Sequence, residues 1–378
     1  MKKLVIVVTV PVVLETWLRG QAKFLSQSYD VEIITSNAQN IKNIEHYEAV
    51  NIKTMDFNRE INIFKDVKIL LQLIYYFIKT QPDIVYTLTP KAGLLGMMAS
   101  FFTQVPHRVH CVVGLPHLEA KGKRKFILEF TEKLTYLFAN KLFCNSLNLK
   151  KNILLMTKKN VNIVGNGSVN GVDTNYFKDT LSKNEKDKIM SKLGLQENHF
   201  IIIFVGRIVN DKGVNELVKA FENLNLKYSF SKLLLVGDYK NETDIISTKS
   251  QQIIKNNNSI IYLEFQEDIR EYLAISNLLV LPSYREGLPN VLIEAGSYGL
   301  PLVATNINGC NEVIIDEQNG LLINKKDEID LFEAMERFII DKDFYHRIKN
   351  NARESIVSRY SQEFFYTELL KEFKKIES

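Results

Sequence analysis

Two hydrophobic patterns alternate along this chain, and their alternation restricts its fold more than any other feature. Short, uninterrupted apolar runs such as Phe200–Val205 and Leu278–Leu281 are typical of strands that are buried on both faces of a sheet. Longer segments with helical periodicity, for example residues 64–79 and 328–341, lie between such runs. Strands that alternate with helices form βαβ units, so the pattern predicts α/β domains with parallel sheets.

The apolar runs fall into two series. In the first half of the chain, strands are predicted at residues 3–9, 31–35, 84–87, 108–112, 142–144 and 162–164. In the second half, they are predicted at residues 200–205, 232–236, 260–263, 278–281 and 302–304. Helices are predicted at residues 64–79, 125–140, 213–224, 269–274, 289–299, 328–341 and 344–359. A chain of 378 residues is long for one core, so the two series predict two doubly wound domains.

A segment rich in glycine and asparagine separates the two series. Residues 165–171 read Gly-Asn-Gly-Ser-Val-Asn-Gly, and a polar stretch continues through Asp187, which predicts a connection made of turns. We therefore assign an N-terminal domain to residues 1–170 and a second domain to residues 171–356. We expect the remaining helix, 357–378, to cross back to the first domain. Ligands of doubly wound domains bind beyond the carboxyl ends of the strands, so we expect the domains to face each other across a cleft.

Composition excludes several classes of protein. Hydrophobic residues make up 46% of the chain and charged residues 24%, as in ordinary globular domains. The net charge of +4 and the lack of a recognition motif give no support for nucleic-acid binding. The cysteines, Cys111, Cys144 and Cys310, have no disulfide or metal-ligand spacing, so a reducing cytoplasm is expected and a zinc site is not.

The apolar N-terminus predicts a strand and not a targeting segment. Its run is short, is interrupted by Thr9 and Pro11, and lacks a cleavage site of small residues. No run elsewhere approaches the roughly 20 apolar residues of a membrane-spanning helix. We therefore expect a cytoplasmic protein that contacts the inner face of a membrane without crossing it.

The segment 283–294 predicts an anion site in the second domain. A buried strand ends at Pro282, and a helix begins near Pro289, a residue suited to the first helical turn. The free N–H groups of Asn290, Val291 and Leu292 and the helix dipole then favour a phosphate. Two carboxylates accompany this site.

Glu286 precedes the helix, and Glu294 lies within it among apolar neighbours, where an idle carboxylate would be costly. Both can address hydroxyl groups of one extended ligand. The alternative is that Glu286 is a solvated loop charge and Glu294 a surface residue.

Two cations follow the strand Phe200–Val205. Gly206 ends this strand, and Arg207 and Lys212 lie in the next loop, where they can clamp a diphosphate from the other side. Basic loop residues are usually solvated, so this prediction depends on the segment 283–294. Gly309, after the strand 302–304, lets the backbone approach a ligand, with an ordinary turn as the alternative.

The order of these motifs resembles the donor domain of glycosyltransferase family 4. The matching residues are Gly206-Arg207, Lys212-Gly213, Pro-Ser-Tyr-Arg-Glu-Gly-Leu-Pro at 282–289, and Glu294. Residues 89–93, 114–115 and 165–173 extend the resemblance over nearly the whole chain. It implies the GT-B fold and a retaining, metal-independent glycosyltransferase that needs no cofactor.

The family resemblance also implies the substrates. The donor is a nucleotide sugar, expected to be a UDP-sugar, and the transferred group a hexosyl or N-acetylhexosaminyl residue. The acceptor is a lipid-linked glycan of the undecaprenyl-diphosphate type, in the synthesis of capsule, O-antigen or a similar polysaccharide.

The resemblance further implies a role for each site residue. Arg207 and Lys212 bind the donor diphosphate, Glu294 the ribose hydroxyls and Glu286 the donor sugar. Gly206, Gly309 and the backbone at Leu288, Asn290 and Val291 complete the nucleotide site. Cations and a helix N-terminus stabilise the charge that develops on the departing nucleotide.

The first domain departs from the family pattern at two places. Many relatives have a histidine before the glycine that is Gly114 here, where this chain has Val113. His110 and His117 flank this position, and His117 is the candidate that takes the histidine's part in catalysis. The usual glycine pair after the first strand is also missing. The different sequence of the loop after the first strand predicts an altered acceptor pocket, with Thr16, Trp17 and Arg19 as its candidate residues.

Basic residues next to apolar helix faces suggest contact with an anionic membrane. The cluster at Lys121–Lys125 precedes the apolar helix 126–138, and Lys65 and Lys68 precede another apolar run. The alternative is a solvated loop before a core helix. Two other functions stay open: a UDP-sugar epimerase of the same fold and a catalytically silent nucleotide-sugar-binding subunit.

Overall fold

The computed structural model of the chain describes residues 1–58, 62–118, 120–239 and 244–377, and these form two compact units. Unit 1 comprises Met1–Gly171 together with the C-terminal segment from Gln362. Unit 2 comprises Val172–Ser361. The sequence places the end of the second domain at residue 356, but the chain stays in unit 2 through Ser361 because the preceding helix continues to Tyr360.

Unit 1 is a parallel sheet with helices on both faces. Its strands are β1 (Lys3–Val7), β2 (Asp30–Thr35), β3 (Asn51–Thr54), β4 (Ile84–Thr87), β5 (His107–Val112), β6 (Lys141–Cys144) and β7 (Val161–Ile163). Its helices are α1 (Val12–Thr16), α2 (Gln21–Leu25), α3 (Ile41–Glu48), α4 (Ile63–Thr80), α5 (Pro90–Phe102), α6 (Gly122–Phe138), α7 (Leu147–Leu154) and, at the C-terminus, α16 (Gln362–Glu377). A 3₁₀ helix, Pro116–Leu118, follows β5. The strand order is β3-β2-β1-β4-β5-β6-β7.

Unit 2 repeats this architecture. Its strands are β8 (Phe200–Val205), β9 (Ser231–Val236), β10 (Ile260–Leu263), β11 (Leu278–Leu281), β12 (Leu302–Thr305) and β13 (Gly320–Ile323), in the order β10-β9-β8-β11-β12-β13. Its helices are α8 (Lys183–Lys192), α9 (Val214–Lys227), α10 (Thr248–Asn256), α11 (Arg270–Ile275), α12 (Asn290–Ser297), α13 (Cys310–Val313), α14 (Glu328–Ile340) and α15 (Lys342–Tyr360). The prediction of two domains with parallel sheets is confirmed.

The direction of strand addition reverses once in each sheet. In unit 1 the reversal lies between β1 and β4, and in unit 2 between β8 and β11. The connections on either side of such a point leave toward opposite faces, which opens a crevice at the carboxyl ends of the two strands. The loops after these four strands are therefore where each unit can hold a ligand.

The sheet of unit 1 separates two hydrophobic cores. Alternate residues of β1 face opposite sides, so Leu4 and Ile6 belong to one core and Val5 and Val7 to the other. Helix α16 completes the core on the Leu4 side, where its Phe373 is fully buried. The C-terminal segment is thus part of the folded core of unit 1.

Differences from the sequence-based prediction include two strands and the start of helix α8. Strand β3 was missed because it is a largely exposed strand at the edge of its sheet. Strand β13 was not predicted, because it begins at Gly320 in an Asn-Gly pair, a dipeptide that is typical of turns. The polar connection predicted through Asp187 ends at Ser182, because Ser182 and Glu185 form a reciprocal cap that starts α8.

Within the described ranges, no helix is both long and apolar enough to cross a membrane.

The substitution Phe373→Ala should destabilise unit 1 by about 3–5 kcal/mol, because it leaves a cavity between α16 and the sheet. The ring of Phe373 packs edge-on against that of Tyr86, with centroids 5.4 Å apart. Guanidinium unfolding followed by the fluorescence of Trp17, the single tryptophan of the chain and part of unit 1, measures the change. The exposed Phe265 of unit 2 supplies the control, Phe265→Ala. An unshifted Trp17 transition in Phe373→Ala would contradict this packing.

Candidate functional site

Three loops pack closely at the reversal point of unit 2. A Cβ atom at Gly213 would lie 2.0 Å from the carbonyl oxygen of Pro282, and one at Gly309 would lie 2.1 Å from that of Gly287. Both glycines have positive φ, 69° and 84°, which other residues adopt only with strain. The loops after β8, β11 and β12 are thereby held together by backbone contacts. At Gly309 the close approach that the structure shows is to the carbonyl of Gly287, and a contact between Gly309 and a ligand stays a prediction.

Lys212 and Glu286 are brought into direct contact. The Lys212 Nζ lies 2.7 Å from the Glu286 Oε1, and their side chains are only 18% and 11% exposed. A pair this sheltered is screened less than a surface ion pair and fixes both side chains in position. The loops after β8 and β11 therefore meet through opposite charges as well as through backbone.

An acidic residue that the sequence analysis passed over organises two further cations. The carboxylate of Asp211 lies 2.9 Å from the guanidinium of Arg285 and 3.8 Å from that of Arg207. Its backbone N–H donates to the carboxylate of Asp244 at 2.9 Å. Arg285 directly precedes Glu286 in the motif, and this adjacency is the sequence signal that could have identified Arg285 as a site residue. Arg207 and Arg285 are both half exposed, so their guanidinium groups stay open to an anionic ligand.

Helix α12 starts beside this cluster without a side-chain cap among the described residues. Its first turn holds Asn290, which is exposed, and Val291, which is half-buried, while Leu288 before it is buried in the core of unit 2. The backbone N–H groups of a first helical turn have no acceptor within the helix. The predicted phosphate position thus lies at an uncapped helix N-terminus.

Gly206 follows β8 at the same edge, and its backbone N–H and carbonyl oxygen both contact residues at the end of β9. Its N–H donates to the carbonyl of Val236 at 2.9 Å. A Cβ atom at Gly237 would lie 1.9 Å from the Gly206 carbonyl oxygen. Gly206 therefore sets the course of the loop that carries Arg207.

Glu294 is a half-buried carboxylate on α12. Its removal from water raises its pKa to about 7, because no charged group offsets the loss of hydration. No hydrogen bond or ion pair joins its carboxylate to another described residue, so its oxygens are available to hydroxyl groups. Glu294 is thus partly withdrawn from solvent, which fits the alternative of a fully solvated surface residue less well.

The two histidines near Val113 differ in their surroundings. His110 is buried in unit 1, and its Nδ1 lies 2.8 Å from the Thr87 hydroxyl. Burial lowers the pKa of His110 to about 4, so its ring is a neutral part of the core. His117 lies in the 3₁₀ helix after β5 and is also buried, which lowers its pKa, and its Nδ1 has no partner among the described residues. A catalytic part for His117 stays a prediction.

A cavity of about 580 Å³ opens at the reversal point of unit 1. Thr16 and Trp17, two of the predicted acceptor-side residues, contribute to its wall. Arg19 lies outside the lining. Its guanidinium stacks on the ring of Tyr47, and its carbonyl oxygen accepts a hydrogen bond from the hydroxyl of Tyr366 on α16. Arg19 therefore ties α16 to the rest of unit 1.

No cluster of three or more possible metal-ligating side chains occurs in the part of the chain that the structure describes.

Two family models match the chain. Residues 185–355 match the model for glycosyl transferases group 1, and residues 8–146 match that for glycosyl transferase 4-like domains.

Similar proteins come from several bacteria. The capsular polysaccharide biosynthesis glycosyltransferase CapM of Staphylococcus aureus is 33% identical over 93% of this chain and 92% of its own length. The UDP-Gal:alpha-D-GlcNAc-diphosphoundecaprenol alpha-1,3-galactosyltransferase of Escherichia coli is 30% identical over 80% of this chain and 78% of its own length. Among solved structures, the Anabaena protein Alr3699/HepE in complex with UDP and glucose superposes with a TM-score of 0.81 and 20% identity, over 99% of this chain and all of that one.

The raised pKa of Glu294 predicts a pH-dependent cost. Folding moves this pKa from 4.5 to about 7, so the native state binds more protons than the unfolded state between these values. Glu294 therefore lowers the stability of unit 2 as the pH rises through that window. In a carboxyl ¹³C NMR titration, we expect a resonance that titrates near pH 7 to vanish in Glu294→Gln, whereas that of Glu132, whose pKa burial also raises to about 7, should remain. The exposed Glu333 supplies the control, Glu333→Gln, which should keep both resonances. Titration of the Glu294 resonance near its ordinary pKa would refute this.

Proposed function

The chain belongs to the group 1 glycosyl transferases and has their GT-B fold, and we propose that it moves a sugar from a UDP-sugar to a lipid-linked glycan acceptor. We further propose that the transfer retains the anomeric configuration and needs no metal. The relatives named above act in capsule synthesis or on a diphosphoundecaprenol-linked acceptor, which supports this choice of acceptor. Their names are those of transferases, which favours transfer over epimerisation and over a silent binding subunit.

One observation carries the proposal: the ion pair between Lys212 and Glu286, beside Arg207 and the uncapped start of α12. Cations that converge on a helix N-terminus suit a diphosphate, because each stabilises negative charge at the same point. The donor diphosphate would lie at the N–H groups of Asn290 and Val291. Glu286 would face the donor sugar.

The proposed reaction uses these charges as the glycosyl bond breaks. The bond between the anomeric carbon and the phosphate oxygen cleaves, and UDP departs with the electron pair. The acceptor hydroxyl oxygen bonds to the same face of the sugar, and its proton passes to the departing phosphate. Arg207, Lys212 and the α12 dipole stabilise the charge that forms on the phosphate, and this lowers the barrier.

Glu294 would hold the ribose of the donor. Its half-buried carboxylate has no competing partner among the described residues, so two vicinal hydroxyls can donate to its two oxygens. Since its pKa is about 7, donor binding to the carboxylate form should strengthen as the pH rises through neutrality.

Unit 1 carries features that suit an anionic membrane surface. Helices α4, α5 and α6 are neighbours in one layer, and large apolar side chains are exposed on α4 and α6. The exposed residues include Phe64, Val67, Leu71, Tyr75 and Ile78 on α4, and Phe126, Ile127 and Phe130 on α6. Such a surface favours burial in a lipid interface. We propose peripheral binding to the inner face of the cytoplasmic membrane.

The charges at the start of α6 support the same surface. Lys123, Arg124 and Lys125 occupy its first turn, which contains no acidic residue, and Lys121 precedes them. Lys125 has a loose ion pair, at 3.8 Å, with Glu129 of the next turn. Cations at the positive end of a helix dipole oppose helix formation. Anionic lipid headgroups would relieve that repulsion.

Replacing Lys212 with alanine should lower kcat/KM by roughly 10²–10³-fold, because one donor to the developing charge is lost. Transfer of radiolabel from UDP-sugars to a lipid-linked cellular fraction measures this. The matched control is Lys219→Ala, a lysine on α9 with a loose ion pair to Glu328. Incubation of UDP-sugar without acceptor detects epimerisation. Full turnover in Lys212→Ala, or conversion without acceptor, would reject the proposal.

Changing Lys121, Lys123, Arg124 and Lys125 together to glutamine should abolish sedimentation with anionic vesicles at low salt. The attraction is electrostatic, so added salt should weaken it in the unaltered protein as well. The matched control neutralises Lys183, Lys186, Lys188 and Lys192 on α8 of unit 2 and should sediment normally. Equal sedimentation of the two fourfold variants would rule out this surface.

A further inference from the structure

The cavity of unit 1 has walls that suit a hydrocarbon better than a sugar. Most of its lining is apolar, and the contributing side chains include Val10, Val13, Leu94, Leu95, Pro116, Ile127 and Leu128. Its size falls within the roughly 300–1,000 Å³ of pockets that enclose small ligands. Apolar surface of this kind gains free energy when a hydrocarbon displaces water from it.

The hydroxyl groups in the lining are already engaged within the protein. The hydroxyls of Thr9 and Thr89 lie 2.6 Å apart and share a hydrogen bond. The hydroxyl of Thr16 donates to the carbonyl of Val12 at 2.7 Å, and that of Thr131 to the carbonyl of Leu128 at 2.9 Å. A bound sugar needs a partner for each of its hydroxyls, and this wall offers few.

Charge in the cavity is confined to one edge. There the Nζ of Lys91 lies 2.8 Å from the Asp66 carboxylate, and both side chains are mostly buried. Helix α5 begins beside them at Pro90, so the positive end of its dipole faces the same edge. Lys91 and this helix start together form a place for an anionic group next to an apolar chamber.

The apolar wall continues onto the exposed surface of α6. Ile127 lines the cavity and is also partly exposed, and Phe126 and Phe130 next to it are exposed. These residues belong to the surface assigned above to the membrane. A chain that leaves the bilayer could therefore enter the cavity without crossing a polar surface.

We propose that this cavity binds the first isoprenoid units of a polyprenyl diphosphate, with the diphosphate at the start of α5 beside Lys91. The inference rests on the proposed function, since it assigns the lipid part of the acceptor to unit 1. The chamber takes the branched hydrocarbon, and the Lys91 edge takes the charge. Thr16 and Trp17 then contact the lipid chain and not the acceptor sugar.

Trp17 provides the test, because it is the single tryptophan of the chain and lines the cavity. Farnesyl diphosphate added to the full chain should shift the Trp17 emission to shorter wavelength, with saturation. Farnesol should produce the same shift with weaker affinity, and inorganic diphosphate alone should produce none. No response to farnesyl diphosphate would overturn the proposal. A lysophosphatidic acid that binds as tightly would overturn the choice of a prenyl chain.

Two substitutions separate the chamber from its charged edge. Leu94→Glu should weaken both farnesyl diphosphate and farnesol by roughly tenfold or more, because it sets a carboxylate in the apolar wall. Lys91→Gln should weaken farnesyl diphosphate by roughly tenfold and leave farnesol unchanged, because only the charged contact is lost. The control is Leu226→Glu at an exposed leucine of unit 2, which should bind both normally. Equal losses for both ligands in Lys91→Gln would contradict the assigned edge.

Failure of this inference can be told from failure of the proposed function. UDP-dependent transfer with a silent Trp17 would leave the function standing and remove the cavity assignment. A Trp17 response without transfer from any UDP-sugar would do the reverse. A circular-dichroism melt of Leu94→Glu checks that its fold is retained, and Lys91→Gln gives a second, independent result if it is not.

Discussion

Strand order reverses once in each sheet: the first three strands are added in one direction, and the later strands are added on the other side of the first. The reversal brings loops that are distant in sequence to one edge. In unit 2 it joins Lys212 to Glu286, and in unit 1 it joins the loop of Thr9 to that of Thr89. Both candidate sites depend on this constraint. The side chains at each edge decide what is bound there.

The two edges differ in how they handle charge. In unit 2, three cations lie in the loops that precede helices α9 and α12. The carboxylate of Asp211 forms ion pairs with Arg207 and Arg285, and that of Glu286 with Lys212. Without those carboxylates the guanidinium and ammonium groups would repel one another. In unit 1, a single pair between Lys91 and Asp66 borders an aliphatic chamber. One edge is suited to a polar ligand, and the other to an amphiphile.

The sequence predicted the central strands well, since β8 and β11 are apolar throughout and need no distant information. It failed at β13, where Gly320 is required because a Cβ atom there would lie 2.2 Å from the carbonyl oxygen of Leu302. The need for that glycine comes from the neighbouring strand β12, so the local Asn-Gly pattern did not predict a strand there. The sequence also identified most of the motif residues of unit 2, but it did not predict which of them contact one another. The link from Asp211 to Arg285, and the engaged hydroxyls of the unit 1 cavity, depend on distances that only the folded chain defines.

Helix α16 has a consequence for the order in which the protein can be made. A ribosome that synthesises the chain releases the strands of unit 1 early, but Phe365, Leu369 and Phe373, which close one of its cores, emerge after all of unit 2. Unit 2 is continuous in sequence and can fold as soon as it is complete. Unit 1 must wait with an apolar face open until its last helix arrives, so the domain that begins first is finished last.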